Sequence, residues 1–421
     1  MSIVGVRQPE FGQRLRQLRQ ERGLSQRDVA GDVVNPSYIS LLETGARVPT
    51  LEVVLQIAQA LDVNLEALVA DATLPVKAAA DENPEAGRAL VLDILARSAL
   101  DFGDLDDAGE RYQRAYDSAV RDGGPSWVLE RGIALQDILI LRADHHSRYA
   151  LLNDLVEVAE QVGVPELIVK LRLDKAAAAR DCGHMAEALR LTESAMAILP
   201  DTELADTGEH VRALGVLISV KVDSGDTADI APLVDRMLAC AERLGSRTVL
   251  GRSHWAASVA YARLGAGELA ERHVRQAKDM LAQPGTSIRE WGRFARAAAS
   301  ALLDADAELA EIDQYVNWMR AALELVDSPA DHAKMVSIEA RYALARGEYE
   351  RALELSENEP DELPSVELVR LRRARGRALH RLGRTDEAVD ALRSAAHLCE
   401  ELAAYRVAAQ VWREIDDVRS A

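Results

Sequence analysis

Cysteine is scarce in this chain: Cys182, Cys240 and Cys399 are the only three among 421 residues, and they lie far apart. An odd number without motif spacing suits reduced packing residues better than a disulfide framework or a cysteine-based zinc site. Long apolar runs are missing too. No window approaches the roughly 18 apolar residues of a membrane span. The opening "MSIVGVRQPEFGQRLRQ" contains no apolar stretch of signal-peptide length. A cytoplasmic location and no membrane partner are therefore expected. Paired catalytic carboxylates, a nucleophile elbow and a Walker loop do not stand out, so the sequence points to neither an enzyme nor a cofactor. "GAGELA" at 265–270 satisfies a dinucleotide-site string, but the preceding "WAASVAYARL" has helical period where a buried strand is required. His145 and His146 have no acid or thiol at helical ligand spacing and read as a solvated turn, so no metal is expected.

Positive charge is in short supply: 50 Lys plus Arg stand against 69 Asp plus Glu, a net charge of −19. Phosphate neutralisation by Lys and Arg supplies much of nucleic-acid binding, so this total argues against it. The distribution argues otherwise. Residues 1–70 carry 7 Arg against 8 acids, and from Arg7 to Arg27 there are six Arg against only Glu10 and Glu21. A small basic face precedes an acidic body. A chain 48% hydrophobic and this long accommodates two or more domains.

Near the N-terminus the helix signals are dense. Phe11, Leu15 and Leu18 repeat at i, i+4, i+7 up to Gly23, which predicts a first helix. Ser25 with Asp28 three residues on forms a capping-box-like start for a second. Asn35 is placed to cap a third, with Pro36 in its first turn and Gly45 at its end. Ile39 and Leu42 form its buried stripe, which leaves Ser37, Tyr38, Ser40 and Leu41 outward. Thr50 opens a fourth helix through Val54, Leu55, Ala58 and Leu61, and Asn64 a short fifth. Such short helices, with a tight connection between the second and third, are the layout of a helix-turn-helix domain. Glu43, an acid on the outward helix, reads as an ion-pair partner for an Arg of the same domain.

"RLRQLRQERGLSQRDVA" and "SYISLLETGARVPTLEVVLQIAQAL" together resemble the lambda-repressor-like, or XRE, family of DNA-binding domains in order and spacing. The segment from Ala30 to Ile39 is a residue shorter than in many members, which leaves the base-reading register open by one position. The resemblance implies double-stranded DNA as partner. It also implies that Gln26 and Arg27 meet the phosphate backbone, that Ser37, Tyr38, Ser40 and Leu41 face the groove, and that Thr44 and Arg47 add phosphate contacts. A protein-interaction bundle with a merely solvated basic face is the alternative.

"TLPVKAAADENPEAG", residues 73–87, mixes Pro, Ala and charge without a stripe and reads as a linker between a DNA-binding domain over 1–72 and a second domain over 88–421. That second domain repeats. Gly or a near equivalent recurs at 103, 143, 183, 225, 265, 305, 347 and 383, a spacing near 40. An Ala follows at the fifth position and a second Ala seven further on, as in "GHMAEALRLTESA" with Gly183, Ala188 and Ala195. A period of this length means stacked helical hairpins. Gly permits the sharp turn, and small residues seven apart let helices approach closely. The pattern resembles the tetratricopeptide repeat, with small residues seven before most anchors (Ala96, Ala176, Ser258, Ala298, Ala340, Gly376) extending the match; HEAT-like pairing is the alternative. The expected fold class is all-α, a helix-turn-helix domain followed by an α-solenoid.

In a tetratricopeptide array the concave face is lined from the first helix of each hairpin, and the resemblance carries that face onto 40 positions here. Twelve are basic and six acidic, an inversion of the sign of the whole chain. The groove candidates are Arg212, Arg252, Trp255, Arg263, Lys334 and Arg341, with Arg370, Arg373, Arg377 and Arg381 along one side of a single helix. They point to an anionic effector, a peptide or protein among the options, unless they pair with acids of neighbouring helices. The expected function is a transcriptional regulator, homodimeric like many helix-turn-helix proteins. A repeat scaffold, or a regulator whose repeats only dimerise, are the rivals.

Overall fold

The computed structural model describes residues 10–30, 35–45, 47, 49, 51–61, 63, 91–92, 94–99, 104–326, 329–361 and 363–420. All regular structure among them is helical. The expected linker at 73–87, the short helix from Asn64, the cap at Thr50 and the first anchor, Gly103, lie outside the described residues. The chain divides into two compact units, Met1–Arg88 and Ala89–Ala421.

Four helices are described in the first unit: α1 (Glu10–Glu21), α2 (Gln26–Ala30), α3 (Pro36–Glu43) and α4 (Leu51–Ala60). Their limits follow local chemistry. Ser25 and Asp28 cap α2 reciprocally, with Asp28 N–H donating to Ser25 Oγ at 3.2 Å and Ser25 N–H donating to Asp28 Oδ2 at 2.7 Å. The Asn35 side chain accepts from Ser37 N–H at 3.0 Å, and Pro36 takes the first helical position, where its lack of an N–H costs nothing. Gly45 follows α3 with φ +77°, a conformation that ends the helix without a Cβ clash. Phe11, Leu15, Leu18, Ile39, Leu42 and Leu61 close the core, each buried. Gly12 lets α1 touch α3: a Cβ there would lie 2.2 Å from Leu42 O and 2.9 Å from Glu43 O.

The second unit is a stack of hairpins whose first and second helices alternate along the chain. After a helical stretch at 94–99 comes α5 (Leu105–Asp122). Then follow the pairs α6 (Pro125–Arg142) with α7 (His145–Val162), α8 (Pro165–Asp181) with α9 (Met185–Ile198), and α10 (Gly208–Ser224) with α11 (Ile230–Leu244). Next are α12 (Arg247–Arg263) with α13 (Gly267–Leu281), and α14 (Ile288–Asp304) with α15 (Leu309–Leu325). The series closes with α16 (Pro329–Ala345) and α17 (Tyr349–Glu357), α18 (Ser365–Arg381) and α19 (Thr385–Glu401), and a last single helix, α20 (Tyr405–Ser420). These are tetratricopeptide-like repeats, and the small residues sit where the helices meet: Ala176, Ala188, Ala195, Ser258, Ala270 and Ala277 are each 0% exposed.

Most anchors occupy the hairpin turn in the left-handed conformation. Gly183, Gly225, Gly265, Gly347 and Gly383 have φ between 73° and 87°, and Ala143 has φ 59°. The sixth anchor is displaced by one: Ala305 is right-handed at φ −89°, and the left-handed residue is Asp306 at φ 51°. Ala403, at φ 55°, makes a further turn of this kind before α20.

Distant parts of the stack meet. Helix α16 packs on α6, and α20 packs on α10. Arg406 on α20 donates from Nη1 to Gly225 O at 3.0 Å and to Thr227 Oγ1 at 2.8 Å. A Cβ at Gly183 would lie 2.1 Å from Leu402 Cδ2. The superhelix therefore wraps far enough for its late repeats to seal against its early ones.

Gly12→Ala should destabilise the first unit by about 2 kcal/mol, because its methyl meets backbone carbonyls that cannot rotate away. Hydrogen exchange on the full chain checks this: protection should fall in α1 and α3 and stay unchanged in α5–α20. Undiminished protection in α3 would show that the two helices are not in contact at Gly12.

Candidate functional site

Helix α3 presents a polar edge on a rigid base. Ser37 is exposed, Leu41 is 42% exposed and Ser40 is half-buried, while Ile39 and Leu42 point into the core. Tyr38 departs from the outward set, for its ring packs half-buried against the core of the unit. Beneath the helix runs a buried ion pair. Arg19 of α1 donates from Nε to Glu43 Oε1 at 2.5 Å and from Nη2 to Glu43 Oε2 at 3.1 Å. Its Nη1 donates to Leu24 O at 2.9 Å, so one guanidinium joins α1, the turn before α2 and the end of α3. Burial pushes the Glu43 carboxyl up, but hydrogen bonds from Arg19 and Gln26 and the charges of Arg19 and Arg16 outweigh it and hold the group below its ordinary range.

This network reassigns two residues. Arg19 turns inward and so leaves the basic face. Gln26 donates from Nε2 to Glu43 Oε2 at 2.8 Å, which fixes its amide against the end of α3. Arg27 and Arg47 are exposed. Thr44 Oγ1 donates to Ser40 O at 3.0 Å and to Leu41 O at 3.2 Å, an attachment to its own helix.

In the second unit, the first helices of the hairpins converge on two adjoining cavities. One, of about 190 Å³, is walled by α8, α10, α12, α14, α16 and α18 and includes Arg263, Lys334 and Arg370. The other, of about 360 Å³, includes Arg341, Arg373 and Arg377 and shares Arg263 and Arg370 with the first. Six of the ten groove candidates are thus brought together. Four are not. Arg212 pairs with buried Asp174 outside both walls. Exposed Arg252 donates from Nε to Glu290 at 2.6 Å. Trp255 packs edge-on to Phe294 at 6.0 Å in the central apolar core, and Arg381 is exposed outside both walls.

Nor is the inner face uniformly basic, because acids from neighbouring helices interleave with the arginines. Asp304 accepts from Arg263 Nε at 2.9 Å and from Arg341 Nη2 at 2.5 Å. Glu414 of α20 accepts from Arg373 Nη2 at 3.1 Å and from Arg377 Nε. Glu367 accepts from Arg370. Asp304 is pushed up by burial and down more strongly by Arg341 and Arg263, which leaves it a carboxylate. The sixth anchor is displaced, and counted from Asp306 Arg296 stands ten residues before the turn, as Arg373 does before Gly383, while Asp304 stands two before it, as Arg263 does before Gly265. A second signal was available. Opposite charges one repeat apart, such as Asp174 with Arg212 and Arg263 with Asp304, mark contacts between successive first helices.

Elsewhere, Asp206, His210 and Cys240 bring three possible metal ligands within 4.8 Å of one another. Their surroundings are cationic: Arg243 Nη2 donates to Asp206 Oδ1 at 2.7 Å, and Arg236 Nη2 lies 3.4 Å from His210 Nε2. Burial pushes the Cys240 thiol up, so the cluster keeps an Asp already claimed by an arginine and a thiol that holds its proton.

Comparison with known proteins defines the class of the first unit. A family profile described as "Helix-turn-helix domain" matches residues 10–72, which span α1–α4. No curated protein matches the chain. Among solved structures, the chain is similar to Bacillus thuringiensis PlcR in complex with the peptide PapR7 and DNA, at 14% identity over 78% of this chain and 98% of that one, with a TM-score of 0.42. It is also similar to a Rap protein complexed with competence and sporulation factor, at 14% identity over 79% and 98% of the two chains, with a TM-score of 0.47. A tetratricopeptide repeat protein from Parabacteroides merdae gives 13% identity, 69% and 98% coverage and a TM-score of 0.43.

Glu43→Ala should destabilise the first unit by about 3 kcal/mol, since it strands a mostly buried guanidinium. The pH dependence has a definite sign. A carboxyl held low in the fold contributes stability above its unfolded pKa of about 4.3 and loses it as pH falls through the lower folded value. Exchange protection of α1 and α3 should therefore drop below about pH 4 in the native chain and show a shallower acid response in Glu43→Gln. Identical acid profiles would remove Glu43 from this role.

Proposed function

We propose that the chain is a transcriptional regulator of the XRE class, in which α3 enters the major groove and the repeat unit controls operator binding through an effector held on its inner face. The observation that carries the DNA half is the mounting of α3: a capped N-terminus with small polar side chains outward, braced from behind by Arg19, Gln26 and Glu43. A recognition helix needs that rigidity, because base contacts require fixed side-chain positions while phosphate contacts hold the register. Arg27 and Arg47 are the phosphate-facing candidates, with Gln26 and Thr44 acting through the backbone position of their helices. The layout of a DNA-binding domain over 1–72, a linker over 73–87 and a repeat domain over 88–421 belongs to the same reading. So does a homodimer, since two-fold pairing lets two weak modules read half-sites a helical turn or a multiple apart. The charges of both signs on the inner face favour a charged effector over an apolar one.

Binding of the full chain to genomic DNA fragments, followed by footprinting of those retained, tests this directly. Ser37→Ala with Leu41→Ala should weaken the selected site by about 1–3 kcal/mol per lost base contact and leave random duplex unaffected. Both side chains reach the surface, whereas a change at Tyr38 would also disturb the core. Arg27→Ala should weaken all sequences alike and flatten the salt slope by about 1. Equal losses on selected and random DNA for the α3 pair would displace α3 from the groove. Sedimentation velocity on the same sample should give a dimer, and a monomer that footprints a single half-site would exclude the paired arrangement.

A further inference from the structure

The cavity walled by α8, α10, α12, α14, α16 and α18 holds carboxylates that are already engaged and two cations that are not. Asp304 has Arg263 and Arg341. Asp223 has Arg263 Nη1 at 3.6 Å and Arg180 Nε at 3.9 Å. Asp181 accepts from Arg180 Nη2 at 2.9 Å and has Arg148 Nη1 at 3.8 Å. Glu367 has Arg370 and accepts from Ser337 Oγ at 3.3 Å. Lys334 and Arg296 line the same cavity from neighbouring repeats. Among the described residues neither has a carboxylate oxygen within 4.0 Å, and the buried Arg296 Nε has no acceptor at all. Asp181, Asp331 and Glu367 act on the pair only from beyond contact distance.

Two cations facing one cavity without a contacting acid are unfavourable unless something else supplies the negative charge. Burial, and then the charge of Arg296, pushes the Lys334 ammonium down to about 8. Burial lowers the Arg296 guanidinium as well. The space is a molecule's size: at about 190 Å³ it exceeds the roughly 150 Å³ cavity that accepts benzene, and it is too small for a folded segment.

We propose that Lys334 and Arg296 form the binding site for a small dianion of phosphomonoester or dicarboxylate type, whose two charges they neutralise. The guanidinium edge supplies paired N–H donors to two oxygens, and the ammonium supplies a point charge to the third oxygen or the second carboxylate. This deepens the effector half of the proposed function and rests on that reading only for its consequence at the operator. The site itself stands on the cavity and its two unpaired cations.

The test is calorimetric titration of the full chain with inorganic phosphate, glycerol 3-phosphate and succinate in separate experiments, repeated with Lys334→Met and Arg296→Gln. At least one anion should bind saturably below about 10 mM, and each substitution should weaken it by about tenfold or more. Phosphates binding alone identify a phosphomonoester site, and succinate binding alone identifies a dicarboxylate site. Thermal unfolding guards against misfolding. Without ligand, Lys334→Met should melt at or above the wild-type temperature because it removes an unpaired buried charge, while its anion-induced shift should vanish. Absence of saturable binding by all three anions, or binding that survives both substitutions, overturns the proposal. Operator affinity measured on the same samples separates the two readings: anion binding that leaves it unchanged removes the sensor reading and keeps the site.

Discussion

Close contact between the two helices of each hairpin is the constraint on which the inner face depends. In four of the hairpins it is set by hydrogen where a Cβ would not fit. A Cβ at Gly132 would lie 2.3 Å from Leu155 Cδ2, at Gly251 2.9 Å from Leu281 Cγ, at Gly292 2.6 Å from Ala322 Cβ, and at Gly376 2.6 Å from Leu392 Cγ. Each places a first helix against the second helix of its own hairpin. With that spacing fixed, the opposite sides of the first helices turn toward one another around the superhelix, and their side chains must share a narrow interior. Long Arg and Lys side chains suit such a place, because their stems cover apolar walls while their heads reach partners on the next repeat.

A crowded interior cannot hold charge of one sign. Removing an arginine from water costs several kcal/mol, which its neighbours must offset through ion pairs with good geometry and further hydrogen bonds. The repeats meet this requirement across one period: Arg263 reaches Asp304, Arg341 reaches back to the same Asp304, and Arg373 and Arg377 reach Glu414. Asp304 therefore joins three successive first helices. Its loss would leave Arg263 with the more distant Asp223 and Arg341 with only Ser300, whose hydroxyl and carbonyl it already contacts. The same logic works in the first unit at smaller scale, where Glu43 joins α1, α2 and α3 through Arg19 and Gln26.

Much of this is legible in the sequence, and the division follows the range of the physics involved. Caps and turns are local, so Ser25 with Asp28, Asn35 with Pro36, and the glycine anchors announced themselves through short spacings. The small-residue positions were legible because the repeat multiplies a weak signal. The outward side of α3 was nearly right, but Tyr38 is large enough to fold back onto the core, and a helical wheel does not register that reach. The inner face was legible in position and not in charge. Its basic residues lie on the first helices at the repeat's own spacing, while Asp304 sits before a displaced anchor and Glu414 on the terminal helix. Ala305 looks like an anchor by spacing, yet Asp306 takes the left-handed conformation, one that Asp tolerates better than most residues.

Sealing of the superhelix has a consequence that no single repeat contains. Leu402 occupies the space that a side chain at position 183 would need, and Arg406 holds the turn at Gly225, so α20 and its preceding turn lock onto α8–α10. These contacts join residues about 180 to 220 positions apart through a few side chains, whereas each neighbouring hairpin interface buries continuous apolar surface. Stability in stacked repeats is carried mainly by nearest-neighbour interfaces, so the seal is weak beside the stack that brings its halves together. The interior carboxylates already have partners, which leaves Lys334 and Arg296 as the groups whose electrostatic state an incoming anion changes most. A ligand there would bind between α14 and α16, and α16 also packs on α6. Helix α16 thus carries both a ligand-facing lysine and a long-range contact with α6, which is the physical route that the proposed site offers for an effector to act beyond its own repeat.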